Sequence, residues 1–243
     1  MSRIAVLLYG IISYALAFAS LVYAIGFVEN MVVPKTIDVG PTSPLLTALI
    51  INSVVLGLFA VQHSTMARSG FKKLITTYLP RSIERSTYVL VSALLMWLIF
   101  WQWRPITDVV WQVDNAVIAS VLIAISFVGW IILFGSSFLI SHWELFGLQQ
   151  VYDNWKGRAE RAYQFRTPFL YKIVRHPIYF GMLLAFWVTP IMTVGHLLFA
   201  VLTTGYILIG TYFEERDLIT AFGDQYRQYK KSVPMLIPWR MRS

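Results

Sequence analysis

The strongest constraint on this chain is a series of apolar segments that are each long enough to cross a membrane as a helix. An α-helix needs about 20 predominantly apolar residues to span the hydrocarbon core of a bilayer, with a range of roughly 17 to 25. Four segments meet this requirement and contain no Asp, Glu, Lys or Arg: residues 4–28, 45–62, 87–103 and 116–140. Each of them predicts one transmembrane helix.

A fifth apolar block, residues 178–213, is too long for a single span. Pro190 and Gly195 interrupt it, and both residue types favour a turn over a continuous helix. The block therefore predicts a helical hairpin of two spans, the first of which, residues 178–191, is short and needs support from its neighbours. Six crossings in total place both ends of the chain on the same side of the membrane.

The composition excludes a soluble protein. Apolar residues make up 57% of the chain and charged residues 13%, whereas a soluble domain carries about 25% charged residues. The chain has no cysteine, which excludes disulfides, cysteine-bound metals and a thiol nucleophile. We expect an all-α, polytopic membrane helix bundle without a metal site. We expect a single domain, with a four-span bundle at 1–140 and an interfacial segment, the hairpin and a C-terminal region at 141–243.

The distribution of basic residues predicts the orientation. If both termini and the polar segments 63–86 and 141–177 lie on one side, that side holds 18 of the 20 Lys and Arg residues, and the other side keeps Lys35 and Arg104. The positive-inside rule makes the basic side cytoplasmic. The net charge of +8 is therefore explained by membrane topology, and a nucleic-acid partner is not expected. The lipid bilayer is the expected partner, in the inner membrane of a bacterium.

The segment from Arg175 to Gly181 carries the first candidate site. Pro177 suits the first position of a helix, which makes His176 the predicted N-cap residue. Free N–H groups and the positive end of the helix dipole beside Arg175 favour an anion. The alternative is an ordinary interfacial cap with a snorkelling arginine.

Glu214 and Glu215 lie where the last apolar block stops. Adjacent carboxylates at the C-terminus of a span oppose the helix dipole and each other, so a cation is expected beside them. That cation is either Arg216, Arg175 or a lysine, or it is the ammonium group of a ligand. Because a hairpin returns its two ends to the same place, an anion site and a cation site side by side match an amino acid zwitterion.

These segments resemble a known signature. Arg175-His176-Pro177-Ile178-Tyr179-Phe180-Gly181, Glu214-Glu215-Arg216-Asp217-Leu218, Phe222-Gly223-Asp224-Gln225-Tyr226, Tyr229 and Val233-Pro234 are similar to the C-terminal region of membrane methyltransferases typified by isoprenylcysteine carboxyl methyltransferase and phospholipid methyltransferases. The resemblance implies an S-adenosylmethionine site in which a glutamate holds the amino group. The candidate cofactor-binding residues are Arg175, His176, Pro177, Tyr179, Gly181, Glu214, Glu215, Leu218 and Tyr226.

The N-terminal half narrows the resemblance. Gln62-His63-Ser64-Thr65-Met66-Ala67-Arg68 and Phe71-Lys72 resemble a segment shared by NnrU-type proteins and the bacterial methanethiol S-methyltransferase family. His142-Trp143-Glu144-Leu145-Phe146-Gly147-Leu148 is similar to a stretch of the latter family, which usually has Phe where Trp143 stands. This resemblance implies methylation of a small thiol, methanethiol, to dimethyl sulfide. Two alternatives remain: a prenylcysteine or phospholipid methyltransferase, and a non-enzymatic NnrU-like membrane protein.

The chemistry of thiol methylation suggests a general base. The thiolate is the nucleophile, so the site should accept a proton or favour the anion. His63 and His176 are the candidate bases, with Tyr179 as a hydrogen-bonding relay. We favour His63, because it lies outside the cofactor signature, and take His63 and Tyr179 as the catalytic candidates. His142 and Glu144 either shape the substrate entrance or anchor an interfacial segment.

Overall fold

The computed structural model describes residues 2–159 and 164–238, which are mostly helical. The α-helices, in chain order, are α1 (Arg3–Val28), α2 (Leu45–Ala67), α3 (Ser69–Ile75), α4 (Arg81–Gln102), α5 (Ala116–Ile140), α6 (His142–Leu145), α7 (Leu148–Trp155), α8 (Pro177–Trp187), α9 (Val194–Phe222) and α10 (Asp224–Ser232). Within the described residues, α1, α2, α4, α5 and α9 are long and apolar enough to cross a membrane. The four apolar segments that the sequence predicts as helices before residue 141 are confirmed as helical.

The beginnings of the long helices follow from local chemistry. The hydroxyl of Ser2 accepts a hydrogen bond from the N–H of Ala5 and caps α1, and Thr193 caps α9 in the same way. Such caps satisfy backbone donors that have no partner inside the helix. Pro44 and Pro80 precede α2 and α4, where a residue without an N–H leaves no donor unsatisfied.

The apolar hairpin is shorter on one side than the sequence predicts. Helix α8 ends at Trp187 after 11 residues, a length of about 16 Å at 1.5 Å per residue, against about 30 Å of hydrocarbon core. Two short strands, β1 (Val109–Gln112) and β2 (Ile191–Thr193), pair antiparallel. The expectation of purely α structure is corrected at this point, where β-branched residues favour extended backbone. A sixth span stays a prediction.

The other arm of the hairpin is longer than expected. Helix α9 continues through Glu214 and Glu215 and ends at Phe222, where Gly223 follows with a positive φ of 55°. The prediction that the two glutamates stand at a helix C-terminus is therefore wrong. The apolar run ends at Phe213, but the Glu, Arg and Leu residues that follow have good helix propensity, so the helix persists until glycine.

The chain forms two compact units. The first lies within Met1–Ile106 and Ser141–Ala162, and the second within Thr107–Ile140 and Tyr163–Ser243. In the first unit α1 packs against α4 and α7, and in the second α5 packs against α8. The single-domain organisation expected from the sequence stays a prediction.

The second unit owes the close packing of α5 and α8 to two glycines. A Cβ atom on Gly181 would lie 2.5 Å from the carbonyl oxygen of Gly129 and 2.7 Å from the backbone nitrogen of Leu133. A Cβ atom on Gly129 would lie 2.6 Å from the carbonyl oxygen of Gly181. These distances are too short for any side chain, so the small residues let the two backbones touch, as is common between apolar helices in membranes.

Apolar side chains on the long helices face outward. Val117 and Ile131 on α5 have relative exposures of 73% and 68%, and Leu46 on α2 has 70%. Soluble proteins rarely expose apolar surface over whole helices. Lipid covers such faces in a membrane, and the five long helices make the chain a multi-pass membrane protein.

Candidate functional site

The N-terminus of α8 forms as the sequence predicts. His176 is the N-cap residue and Pro177 occupies the first helical position. The imidazole of His176 lies against the two glutamates of α9 instead of capping the helix. The backbone N–H groups of Arg175 and His176 donate to the carbonyl oxygens of Pro234 and Met235, at 2.9 and 3.2 Å. The chain after α10 therefore runs alongside the start of α8.

Glu215 is the centre of a buried ionic cluster. Its carboxylate oxygen Oε1 lies 2.7 Å from Nε of Arg175 and 3.3 Å from Nε2 of His176, and Oε2 lies 2.6 Å from Nζ of Lys230. The side chains of Arg175, His176 and Glu215 are all at most 8% exposed. A buried carboxylate is tolerated when it is paired and hydrogen-bonded in this way.

Arg175 also fixes the chain that follows α10. Its Nη1 atom donates to the carbonyl oxygens of Lys230 and Val233, at 3.0 and 2.5 Å. The partners of this guanidinium in the structure are thus a carboxylate on α9 and two carbonyl groups at the end of α10. This arrangement favours the alternative in which Arg175 neutralises a glutamate, and its binding of a ligand anion stays a prediction.

Glu214 has different surroundings from Glu215. Its side chain is 42% exposed. The hydroxyl of Tyr179 donates to Oε2 at 3.1 Å, and Nδ1 of His176 lies 3.7 Å from the same oxygen. The rings of His176 and Tyr179 stack with centroids 5.6 Å apart. Glu214 therefore presents a carboxylate that is oriented by protein groups and still accessible to a ligand.

Tyr226 is a buried polar residue on α10, the helix that also carries Lys230. The residue is 1% exposed, and within the described part of the chain its hydroxyl has no hydrogen-bonding partner. Burial, together with the negative charges of Glu215 and Glu214, raises the pKa of Tyr226 well above its ordinary value. The group stays a neutral phenol. An unsatisfied buried hydroxyl is costly, and a ligand that accepts or donates a hydrogen bond at this position relieves that cost.

The sequence did not predict Lys230 as a neighbour of this site, and it named Tyr229 only as part of the C-terminal signature. Lys230 reaches Glu215, and the hydroxyl of Tyr229 donates to the carbonyl oxygen of Tyr171 at 2.5 Å. Burial raises the pKa of Tyr229. One signal in the sequence points to these residues: Tyr226, Tyr229 and Lys230 have the spacing i, i+3, i+4 that places side chains on one helix face.

The other three cofactor candidates lie on α8 and α9. Pro177 begins α8 and is buried. The close approach that Gly181 permits is made to the backbone of α5, at Gly129 and Leu133. Leu218 is half-buried on α9, one turn beyond Glu214.

His63, the favoured catalytic candidate, belongs to the first unit. The hydroxyl of Tyr88 lies 2.6 Å from its Nε2 atom and 3.0 Å from its Nδ1 atom. The guanidinium carbon of Arg85 lies 4.8 Å from the centre of the Tyr88 ring, and its Nε donates to the carbonyl oxygen of Leu145 at 2.7 Å. Tyr88 and Arg85 were not predicted, because they stand on α4, 22 or more residues after His63.

His142 is a buried residue of the first unit. It is 2% exposed, and Nε2 is 3.0 Å from the hydroxyl of Tyr14. Burial lowers the pKa of His142, so the neutral ring is favoured. The exposed Trp143 follows it, and Glu144 is half-buried. These contacts favour a structural role for His142, one of the two alternatives that the sequence left open.

Comparison with known proteins identifies the family. Methanethiol S-methyltransferase 1 of Bradyrhizobium diazoefficiens is 54% identical over 233 residues, which cover 96% of this chain and 82% of that protein. Methanethiol S-methyltransferase of Mycobacterium tuberculosis is 49% identical over 242 residues, 100% of this chain and 99% of that protein. Mouse nurim is 30% identical over 183 residues, 72% of this chain and 69% of that protein. No family model and no solved structure matches the chain.

Five apolar helices and relatives of this kind define a membrane methyltransferase. The identity extends over nearly the full length of the chain and covers both compact units. The chain belongs to the methanethiol S-methyltransferase family.

Proposed function

We propose that this enzyme transfers a methyl group from S-adenosylmethionine to methanethiol and releases dimethyl sulfide and S-adenosylhomocysteine. Family membership over almost the whole chain supports the acceptor. One structural observation carries the assignment of the donor: the accessible carboxylate of Glu214 stands beside a second carboxylate, Glu215, whose charge is already matched by Arg175 and Lys230. Such a carboxylate suits the ammonium group of an amino acid ligand.

The donor supplies a methyl group on a positively charged sulfur, and the residues of the second unit fit its polar end. Glu214 accepts hydrogen bonds from the ammonium group, and Tyr179 holds that carboxylate in place. The hydroxyl of Tyr226, without a partner among the described residues, bonds a polar atom of the donor. The proposed binding region also includes Arg175, His176, Pro177, Gly181, Glu215 and Leu218.

The acceptor requires a deprotonated sulfur. His63 takes the proton of the thiol, and the hydroxyl of Tyr88 orients the imidazole. The thiolate sulfur then forms a bond to the methyl carbon as the bond from that carbon to the sulfonium sulfur breaks. Tyr179, whose hydroxyl donates to Glu214, is the second candidate for proton transfer.

We place this reaction at the cytoplasmic face of a bacterial inner membrane. The distribution of 18 of 20 basic residues supports this side, and the methanethiol S-methyltransferase relatives cited above are bacterial. The chain has no native cysteine, so a single cysteine introduced at Lys156 reports the topology without a background. We expect labelling by a membrane-permeant maleimide and protection from an impermeant one in intact cells. Labelling of intact cells by the impermeant reagent contradicts the orientation.

The decisive experiment compares acceptors. Membranes containing the enzyme are incubated with labelled S-adenosylmethionine and with methanethiol, longer alkanethiols, a prenylcysteine or a phospholipid. We expect label in dimethyl sulfide with methanethiol. Label in the prenylcysteine or lipid alone supports the alternative methyltransferase, and no transfer together with no binding of S-adenosylhomocysteine supports a non-enzymatic NnrU-like protein.

A further inference from the structure

Lys230 on α10 stands out from the neighbouring basic residues. Its ammonium group lies 2.6 Å from Oε2 of Glu215. Its side chain is 46% exposed, whereas that of Glu215 is 6% exposed. The next residue, Lys231, is exposed as well. The two adjacent lysines differ in that Lys230 bonds Glu215 of the ionic cluster.

The geometry divides the two oxygens of Glu215 between two cations. Oε1 bonds Arg175, and Oε2 bonds Lys230. We infer that Lys230 is a positioning residue of the methyl-donor site, which holds Glu215 in its buried orientation and leaves Glu214 as the carboxylate that receives the ammonium group of the donor. This inference rests on the proposed function, because it assigns a role in binding the same donor.

Charge explains why the donor depends on a lysine that it does not touch. Arg175 and Lys230 both pair with Glu215, so the carboxylate of Glu214 is left for the ammonium group of the donor. Without Lys230, Oε2 of Glu215 is left in a buried position without its cation, which is costly. The carboxylate then draws Arg175 away from the carbonyl groups at the end of α10, or competes with Glu214 for the ammonium group of the donor. Both changes disturb the site that Glu214 offers.

The test measures binding of S-adenosylhomocysteine to the full-length enzyme in detergent by calorimetry. We expect Lys230→Met to weaken binding by about 10-fold, the loss of one charge-assisted contact, and Lys230→Arg to stay within about 3-fold of wild type. Lys231→Met is the matched control, since it removes the same charge one residue away, and it should bind as wild type does. Circular dichroism confirms that each variant has kept its helices.

A double-mutant cycle with Glu215→Gln separates positioning from a general loss of structure. If Lys230 acts through Glu215, Lys230→Met should have little further effect on binding once Glu215 is neutral. Equal affinity of Lys230→Met and Lys231→Met overturns the inference, as does a full additional loss in the Glu215→Gln background. If wild type fails to bind S-adenosylhomocysteine, the proposed function fails and the inference fails with it. Wild-type affinity in Lys230→Met overturns the inference alone.

Discussion

Glu214 and Glu215 are adjacent in the chain, but their carboxylates occupy different environments on α9. Glu215 points into the second unit and bonds Arg175 at 2.7 Å, whereas Glu214 is 42% exposed and receives the hydroxyl of Tyr179 at 3.1 Å. Consecutive residues of a helix lie about 100° apart around its axis, which accounts for the separation. A pair of like residues in the sequence thus provides one structural and one accessible acid.

The two glutamates should respond differently to neutralisation. Glu214→Gln removes the proposed partner of the donor's ammonium group and should cost about 1.5–3 kcal/mol of S-adenosylhomocysteine binding, with little change in thermal stability. Glu215→Gln leaves a buried arginine without its counter-charge and should lower stability by about 3 kcal/mol, the lower end of the range for a broken buried pair, since Lys230 is partly solvated. Calorimetry and thermal unfolding of both variants distinguish the effects. If Glu214→Gln binds S-adenosylhomocysteine as tightly as wild type does, Glu214 does not hold the ammonium group of the donor.

The contact between α5 and α8 predicts a strong effect at Gly181. Gly181→Ala places a methyl group 2.5 Å from the carbonyl oxygen of Gly129, so the helices must separate, at a cost of about 1–3 kcal/mol. Gly205→Ala on α9 is the matched control, because no described atom outside its own helix backbone lies within 4 Å of the new methyl group. There the gain in helix propensity should stabilise by about 0.5–1 kcal/mol. Equal melting temperatures of the two variants would argue against the close packing.

The buried imidazole of His142 predicts a pH dependence of stability. Because burial lowers the pKa of His142 in the folded state, the unfolded chain binds more protons as the pH falls below about 6.5. This contribution to stability is therefore present at neutral pH and is lost as the medium becomes acidic. His142→Gln should flatten the dependence between about pH 6.5 and 5.

Tyr14→Phe provides the control for His142. It removes the hydroxyl that bonds Nε2 but retains the titrating ring, so the dependence on pH should persist at a lower overall stability. Thermal unfolding of the two variants and of wild type in detergent measures both effects. An identical slope in wild type and His142→Gln would assign the acid sensitivity to other groups.

The sequence predicted the long helices well because hydropathy alone selects them. The apolar segments 4–28 and 116–140 became α1 and α5 almost residue for residue. The sequence predicted the hairpin less well, since an apolar run does not show where one helix stops. The strand at Ile191–Thr193 depends on pairing with Val109–Gln112, which is distant in the chain. Extension of α9 to Phe222 was missed because a change from apolar to charged residues marks the end of a membrane segment, not of a helix.

The structure brings several of the predicted residues together, namely His176, Glu214 and Glu215, but their contacts could not be predicted from the sequence. The sequence placed His176 at an N-cap, and the structure confirms it. Composition and spacing left two partners for the charge of Arg175, a ligand anion and a glutamate, because that choice depends on where α8, α9 and α10 meet. The role of Tyr88 could not be predicted for the same reason, because its contact with His63 depends on how α2 and α4 pack together.

His63 lies within hydrogen-bonding distance of the hydroxyl of Tyr88, and we predict that it is the general base of the reaction. If His63 accepts the thiol proton, His63→Ala should lower the single-turnover rate of methyl transfer by roughly 10²–10⁴-fold, the usual scale for a lost general base. Affinity for S-adenosylhomocysteine should stay near that of wild type. The deficit should shrink as the pH rises, because more thiol then arrives already ionised.

Tyr88→Phe tests the same assignment from the partner's side. The variant keeps the aromatic ring and removes the hydroxyl that lies 2.6 Å from Nε2, so His63 remains but loses one of the contacts that orient it. We expect the rate of methyl transfer to decrease less than in His63→Ala. The affinity for S-adenosylhomocysteine should stay near that of wild type. A near-normal rate in His63→Ala at neutral pH, or a loss that is the same at every pH, would exclude His63 as the base. Tyr179, whose hydroxyl bonds Glu214, would then be the next residue to replace.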